Sequence, residues 1–265
     1  MTAAGETQLI QALCEALTSA GARLSAVMRR VSDPGLRAVG TWSIGETAHH
    51  VAAGPGYFLA AARGDGELVA LDGVAADNAR DLAGDTERDP QVLADRFDDG
   101  IRALVSYART VPGDPLVEPF TGVKVPLSCL LAVQLDEVLV HGFDIARAAG
   151  LAWRIEPAHA QVTLEGLMAL MPFLLDKQRA AGVRMRVELR IRGMARQVLT
   201  IGDGTLRVQA SPSGPVDCRM LVDPVVYLLL IWNRIGRWRP ILRGQLAIWG
   251  RRPWLVNRLQ PLLKM

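Results

Sequence analysis

The sequence predicts an α+β protein of two domains, a helical bundle followed by a smaller unit of strands and helices. Two observations carry this. Apolar residues recur with helical spacing up to about residue 180, and then Arg184-Met185-Arg186-Val187-Glu188-Leu189-Arg190-Ile191-Arg192 alternates strictly, as a half-buried strand does. The charge changes sign at the same place. Residues 1–183 hold 15 Lys and Arg against 23 Asp and Glu, net −8, whereas residues 184–265 hold 15 against 4, net +11. We place the bundle at 1–150 and the second domain, with a connecting helix, at 151–265.

Ile10, Leu13, Leu17, Leu24, Val27 and Val31 form the stripe of a first helix, which Asp33-Pro34-Gly35 ends. Ser43 with Glu46 three residues on is a capping box and starts a second helix, in which Gly54-Pro55-Gly56 predicts a kink or break. Residues 66–84 read as a weaker polar helix. Asp89-Pro90 opens another, with Leu93, Phe97, Ile101, Leu104 and Val105 on its buried side. Four prolines make 111–126 a long loop, and a further helix runs over about 127–149 to Gly150. Beyond a link at 151–157, a helix is expected from Pro157 to about 180. Strands follow at 184–192, at Leu206–Val208 after the turn Gly202-Asp203-Gly204, at Asp217–Val222 and at Gln245–Trp249. Asp223-Pro224 starts an apolar helix through Trp232, and Pro253 opens a closing one, giving a mostly antiparallel or mixed sheet.

At 265 residues and 50% hydrophobic, the chain can bury a sizeable core. Cys14, Cys129 and Cys218 are widely spaced with no CxxC, which points to a reducing compartment and against a cysteine zinc site. The N-terminus lacks a signal-peptide pattern and no apolar run reaches membrane-spanning length, so a cytoplasmic protein without an integral membrane segment is expected. The basic tail carries no recognisable nucleic-acid motif, and basic charge alone is weak evidence for such a partner.

The chemistry concentrates in Leu135-Asp136-Glu137-Val138-Leu139-Val140-His141. Glu137 and His141 are four apart, on one helical face, amid apolar neighbours. A carboxylate and an imidazole in such surroundings need a partner, and a metal ion is one. His50 is the best third ligand, since two histidines and a glutamate with an open position form a known catalytic zinc set. The bland alternative is a helix-stabilising pair. His49, about 100° round the helix, reads as a surface or supporting residue. Asp144 either orients His141 or pairs with Arg147.

Trp42-Ser43, His50 and the run Glu137-x-x-x-His141-x-x-Asp144-x-x-Arg147 resemble the mycothiol-dependent maleylpyruvate isomerase family, whose first domain is a DinB-like metal-binding four-helix bundle. Asp217, Asp223-Pro224, Trp232-Asn233-Arg234, Gly244-Gln245-Leu246 and Gly250 are similar to the sterol-carrier-protein-like α+β domain that follows it there. The resemblance implies a divalent metal, usually zinc, on His50, Glu137 and His141. Its open position would take the thiol of mycothiol, for isomerisation or S-transfer on a small electrophile. It also implies a catalytic role for Arg234, whose guanidinium would hold a substrate carboxylate; the alternative is an arginine at a helix end. The chain departs from the pattern at Asn233 where a glycine is usual, at Arg251 where an acid is usual, and in the extra His49. A rival class is a sterol-carrier-like protein that binds an apolar or lipid ligand without chemistry, which would need no metal.

Overall fold

The computed structural model describes residues 3–210 and 213–264, and its contacts divide the chain into two units, Met1–Gly166 and Leu167–Met265. In the first unit four long helices form the bundle: α1 (Ala3–Met28), α2 (Ile44–Arg63), α4 (Pro90–Thr110) and α5 (Leu127–Ala148). Both α1 and α2 pack on α4 and on α5, so each outer pair closes the core of the other. Phe97, Leu13, Leu17, Leu93, Leu130 and Leu131 are fully buried there. The short α3 (Val74–Gly84) buries none of its residues.

Ser43 caps α2 as its spacing predicts: its hydroxyl accepts from the Glu46 N–H, and Glu46 accepts from the Ser43 N–H at 2.7 Å. The expected break at Pro55 does not occur, and α2 is continuous. Pro55 is buried against Gly100 of α4, where a Cβ would stand only 3.0 Å from its ring. Tertiary packing on a glycine outweighs the hydrogen bond lost at the proline.

Two short hairpins interrupt the helices where the sequence reads as loop. β1 (Arg37–Val39) pairs with β2 (Trp42–Ser43), and β3 (Leu116–Phe120) with β4 (Val123–Pro126). The second closes at Thr121-Gly122, with Gly122 at φ 74°, and its prolines are tolerated because a two-stranded ribbon has only edges. The turn bonds back to the chain before α3, Thr121 N–H to the Val69 carbonyl at 3.1 Å.

α6 (Pro157–Leu167) is shorter than expected. A 3-10 turn follows at Met171–Leu174, with Pro172 in its first turn, where the missing N–H costs no helical hydrogen bond. The contacts group α6 up to Gly166 with the bundle, although the helix end at Gly150 suggested a boundary there. Gly166 allows this, since a Cβ there would lie 2.5 Å from that of Ala132 on α5. Gly142 on α5 works the same way: Trp153 lies across it, with its Nε1–H donating to the Leu139 carbonyl at 3.1 Å, and a Cβ would meet the indole at 2.3 Å. Gly142→Ala is therefore expected to cost about 1–3 kcal/mol through overpacking, read by denaturant unfolding; an unchanged midpoint would show that the indole moves freely.

The second unit is a five-stranded sheet of order β7-β6-β5-β8-β9, made of β5 (Met185–Ile191), β6 (Gln197–Gly202), β7 (Thr205–Ala210), β8 (Cys218–Val222) and β9 (Leu246–Gly250). It is mixed: β5 and β8 run parallel and the other neighbours antiparallel. α7 (Pro224–Ile231), α8 (Trp238–Leu242) and α9 (Val256–Leu259) complete it. The alternation of β5 buries Met185, Val187, Leu189 and Ile191 on one face. On the other, buried Glu188 is ringed by Arg190, Arg196 at 3.9 Å and Arg219 at 3.5 Å, so part of the basic charge of this half is partnered within the sheet. All three cysteines are buried and in no disulfide, and burial pushes the Cys218 thiol up to about 11. Among the described residues no helix is long and apolar enough to cross a membrane.

Candidate metal centre

Helices α2 and α5 face each other and bring His50, Glu137 and His141 together. The capping box fixes where α2 begins, and so the turn on which His50 emerges. The four-residue spacing on α5 stacks Glu137 and His141, as read from the sequence. Glu137 Oε2 lies 3.2 Å from His50 Nε2 and 3.0 Å from His141 Nε2, and one donor atom from each residue lies within 4.8 Å of the others. A tetrahedral ion with bonds of about 2.05 Å needs ligand atoms about 3.3 Å apart. Two of the three edges already meet this, so the donor set fits a divalent ion with a small adjustment. Two imidazoles with a carboxylate suit zinc-like ions better than magnesium or calcium. The three side chains keep 20%, 26% and 12% of their surface, which leaves the cluster open to solvent on one side.

The surroundings orient the ligands. Asp144, whose side chain is fully buried, lies 3.2 Å from His141 Nδ1, which directs Nε2 toward Glu137. Asp144 is 4.0 Å from Arg147, so of the two roles open from sequence the closer contact is to the histidine. Arg147 reaches the Ala38 carbonyl at 3.1 Å and ties α5 to the β1–β2 hairpin. That hairpin carries Trp42, whose ring packs on His50 with centroids 5.1 Å apart. His49 points away, buried, with Nε2 3.0 Å from Asp81 of α3. The register that selects His50 over its neighbour therefore agrees with the structure, but His49 is no surface residue. Asp81 was not legible as its partner from residue order, because α3 is polar and its position is set by tertiary contacts.

Burial would raise the Glu137 carboxyl, but hydrogen bonds from His141 and His50 override it and hold it well below the usual carboxylate range. For His141 burial favours the neutral ring, and Asp144 and Glu137 outweigh it and raise the imidazole to about 9. In the metal-free protein its ring protons should titrate near pH 9 by NMR; a midpoint near the ordinary 6.5 would refute the buried contacts. A raised histidine contributes fully to stability below about 6.5 and loses that contribution as pH rises through about 9. A lowered glutamate contributes above about 4.5 and loses it as the pH falls below that.

Arg234 belongs to the second unit, just past α7. Its guanidinium donates to the Trp232 carbonyl at 2.7 Å, and its N–H to the Leu229 carbonyl at 2.8 Å. Asn233 before it has φ 57°, which explains why this position favours glycine and accepts asparagine.

Residues 17–146 match the family model described as mycothiol maleylpyruvate isomerase N-terminal domain. Comparison with curated protein sequences finds no match. Among solved structures, a mycothiol-dependent maleylpyruvate isomerase aligns with 15% identity over 89% of this chain and 92% of its own, with a TM-score of 0.53. A ubiquinone synthesis protein described as UbiJ-SCP2 aligns with 17% identity over 43% of this chain and 94% of its own, at a TM-score of 0.31. A stereoselective inverting sec-alkylsulfatase from Pseudomonas sp. aligns with 15% identity over 52% of this chain and 24% of its own, at a TM-score of 0.36, so the chain spans about a quarter of that enzyme's length. The likeness to the isomerase extends over both units and shows a shared fold.

Proposed function

We propose, for a chain that belongs over residues 17–146 to the mycothiol maleylpyruvate isomerase N-terminal domain family, a metal-dependent enzyme that uses a low-molecular-weight thiol on a small electrophile. The observation that carries this reading is the convergence of His50, Glu137 and His141 on one partly open spot between α2 and α5. Zinc is the metal we assign and mycothiol the thiol, with isomerisation or S-transfer as the reaction, in the cytoplasm. Three buried cysteines in no disulfide accord with a reducing compartment.

A divalent ion there would lower the pKa of a coordinated thiol, ordinarily about 8.5, and keep it nucleophilic at neutral pH. The chain's own groups prepare the place. Asp144 sets the tautomer of His141 by accepting from Nδ1. The ring of Trp42 packs on His50 and limits how that imidazole can turn. We assign Arg234 to a carboxylate on the electrophile, which its forked donors suit.

The test is a panel of electrophiles, with and without carboxylates, assayed with mycothiol before and after chelation. Chelation should abolish turnover, and readdition of zinc should restore it. Arg234→Ala should raise KM for the carboxylate-bearing members about 10-fold or more while leaving the metal content unchanged. Activity that survives chelation would overturn the metal-thiol reading. A second reading, a carrier for an apolar ligand, is favoured by the exposed Trp238, Leu242 and Trp254 of the second unit. Lipid binding by a protein that takes up no metal and shows no thiol chemistry would establish it.

A further inference from the structure

Gln134 of α5 is completely buried, yet neither its Oε1 nor its Nε2 has a hydrogen-bond partner. A buried amide left in that state costs about 1–3 kcal/mol for each unmet group, and a leucine would fill the same space without that cost. Its place in the fold gives the unmet amide a meaning. Gln134 lies three residues before Glu137 and seven before His141, so all three share one face of α5. Across from it on α2 stands Gly54, one turn beyond His50. A Cβ at Gly54 would come within 2.9 Å of Gln134 Oε1, so the absence of a side chain there makes room for the carboxamide. The amide thus sits one turn inward from the ligand cluster along the same helix pair.

We propose that Gln134 is a positioning residue for Glu137, acting when the cluster holds a metal. Both imidazoles meet Glu137 at the single oxygen Oε2. When the imidazoles turn to an ion, the carboxylate needs another donor to keep its orientation, and carboxylates that ligate metals are themselves hydrogen-bonded. The Nε2–H of Gln134, one turn away, supplies that donor to Glu137 directly or through one buried water. Asp144 already plays the matching part for His141, from the opposite side along the helix. The inference rests on the metal reading of the cluster and adds a residue that reading does not contain.

The test measures zinc affinity by competition with a chromophoric chelator, alongside the thermal midpoint of the metal-free protein. Gln134→Leu and Gln134→Met should weaken zinc binding about 10- to 100-fold. The same variants should leave the metal-free midpoint unchanged or higher, since they remove unmet polar atoms from the core. Gly54→Ala, which crowds Oε1, should weaken zinc in the same direction. Wild-type zinc affinity in both Gln134 variants would overturn the inference while leaving the metal site standing. A loss of affinity matched by a fall in the metal-free midpoint would assign Gln134 to packing and overturn it as well. A wild-type protein that takes up no divalent metal would remove the metal reading and this inference together.

Discussion

Replacing Glu137 with Gln or His141 with Ala is expected to lower zinc affinity by on the order of 100-fold or more and to reduce thiol-dependent turnover to background. A closed four-ligand zinc site binds with about 10–16 kcal/mol, so one ligand carries roughly 3 kcal/mol of it. Glu137 is also the only anionic member of the cluster and meets both imidazoles. Its amide replacement keeps the shape and removes the charge that offsets the dication. His141→Ala removes a donor and leaves Asp144 buried beside an empty space. Metal analysis after dialysis against a fixed free-zinc buffer measures the loss, with circular dichroism to confirm that the helices remain. Full zinc content in both variants would place the metal elsewhere.

Asp144→Ala is expected to act on both stability and the site. Its side chain is fully buried and lies 3.2 Å from His141 Nδ1. Removing one member of a buried charged pair costs up to about 3–5 kcal/mol when the other is left without compensation; His141 keeps Glu137 at 3.0 Å, so a loss toward the lower end of that range is expected. The His141 ring would lose a contact that raises its pKa and fixes its orientation, so zinc affinity should fall about 10- to 100-fold. Asp144→Asn, which still offers an oxygen acceptor, should retain more of both. Urea unfolding of the metal-free proteins with chelator competition on the same samples separates the two effects. Equal stability and affinity in Asp144→Ala would show that the contact with His141 orients nothing.

Much of this was readable from residue order because it depends on local spacing. Ser43 and Glu46 announce the start of α2, Glu137 and His141 share a face by helical period, and the change to alternation marks β5 within a residue. What could not be read is set by distant contacts. Pro55 stays inside a helix because Gly100 receives it, and α6 joins the bundle because Gly166 lets it approach Ala132. The prolines of 111–126 suggested loop, yet each strand of a two-stranded ribbon has a free edge where the missing N–H is harmless. In the site, Asp144 was visible three residues from His141. The His49–Asp81 contact spans 32 positions and had no local trace.

The ligand cluster draws on two helices far apart in the chain, for His50 and His141 are separated by 91 positions. An ion shared between them would close a loop about as long as many whole domains. In an unfolded chain, a covalent link at those positions would remove about 4–5 kcal/mol of conformational entropy. A coordinated ion is a reversible version of that link, present only while α2 and α5 remain side by side. Occupancy and bundle stability then become one linked equilibrium: free zinc raises the melting temperature in proportion to the logarithm of its excess over the dissociation constant, and substitutions that loosen α2 from α5 register first as lost metal.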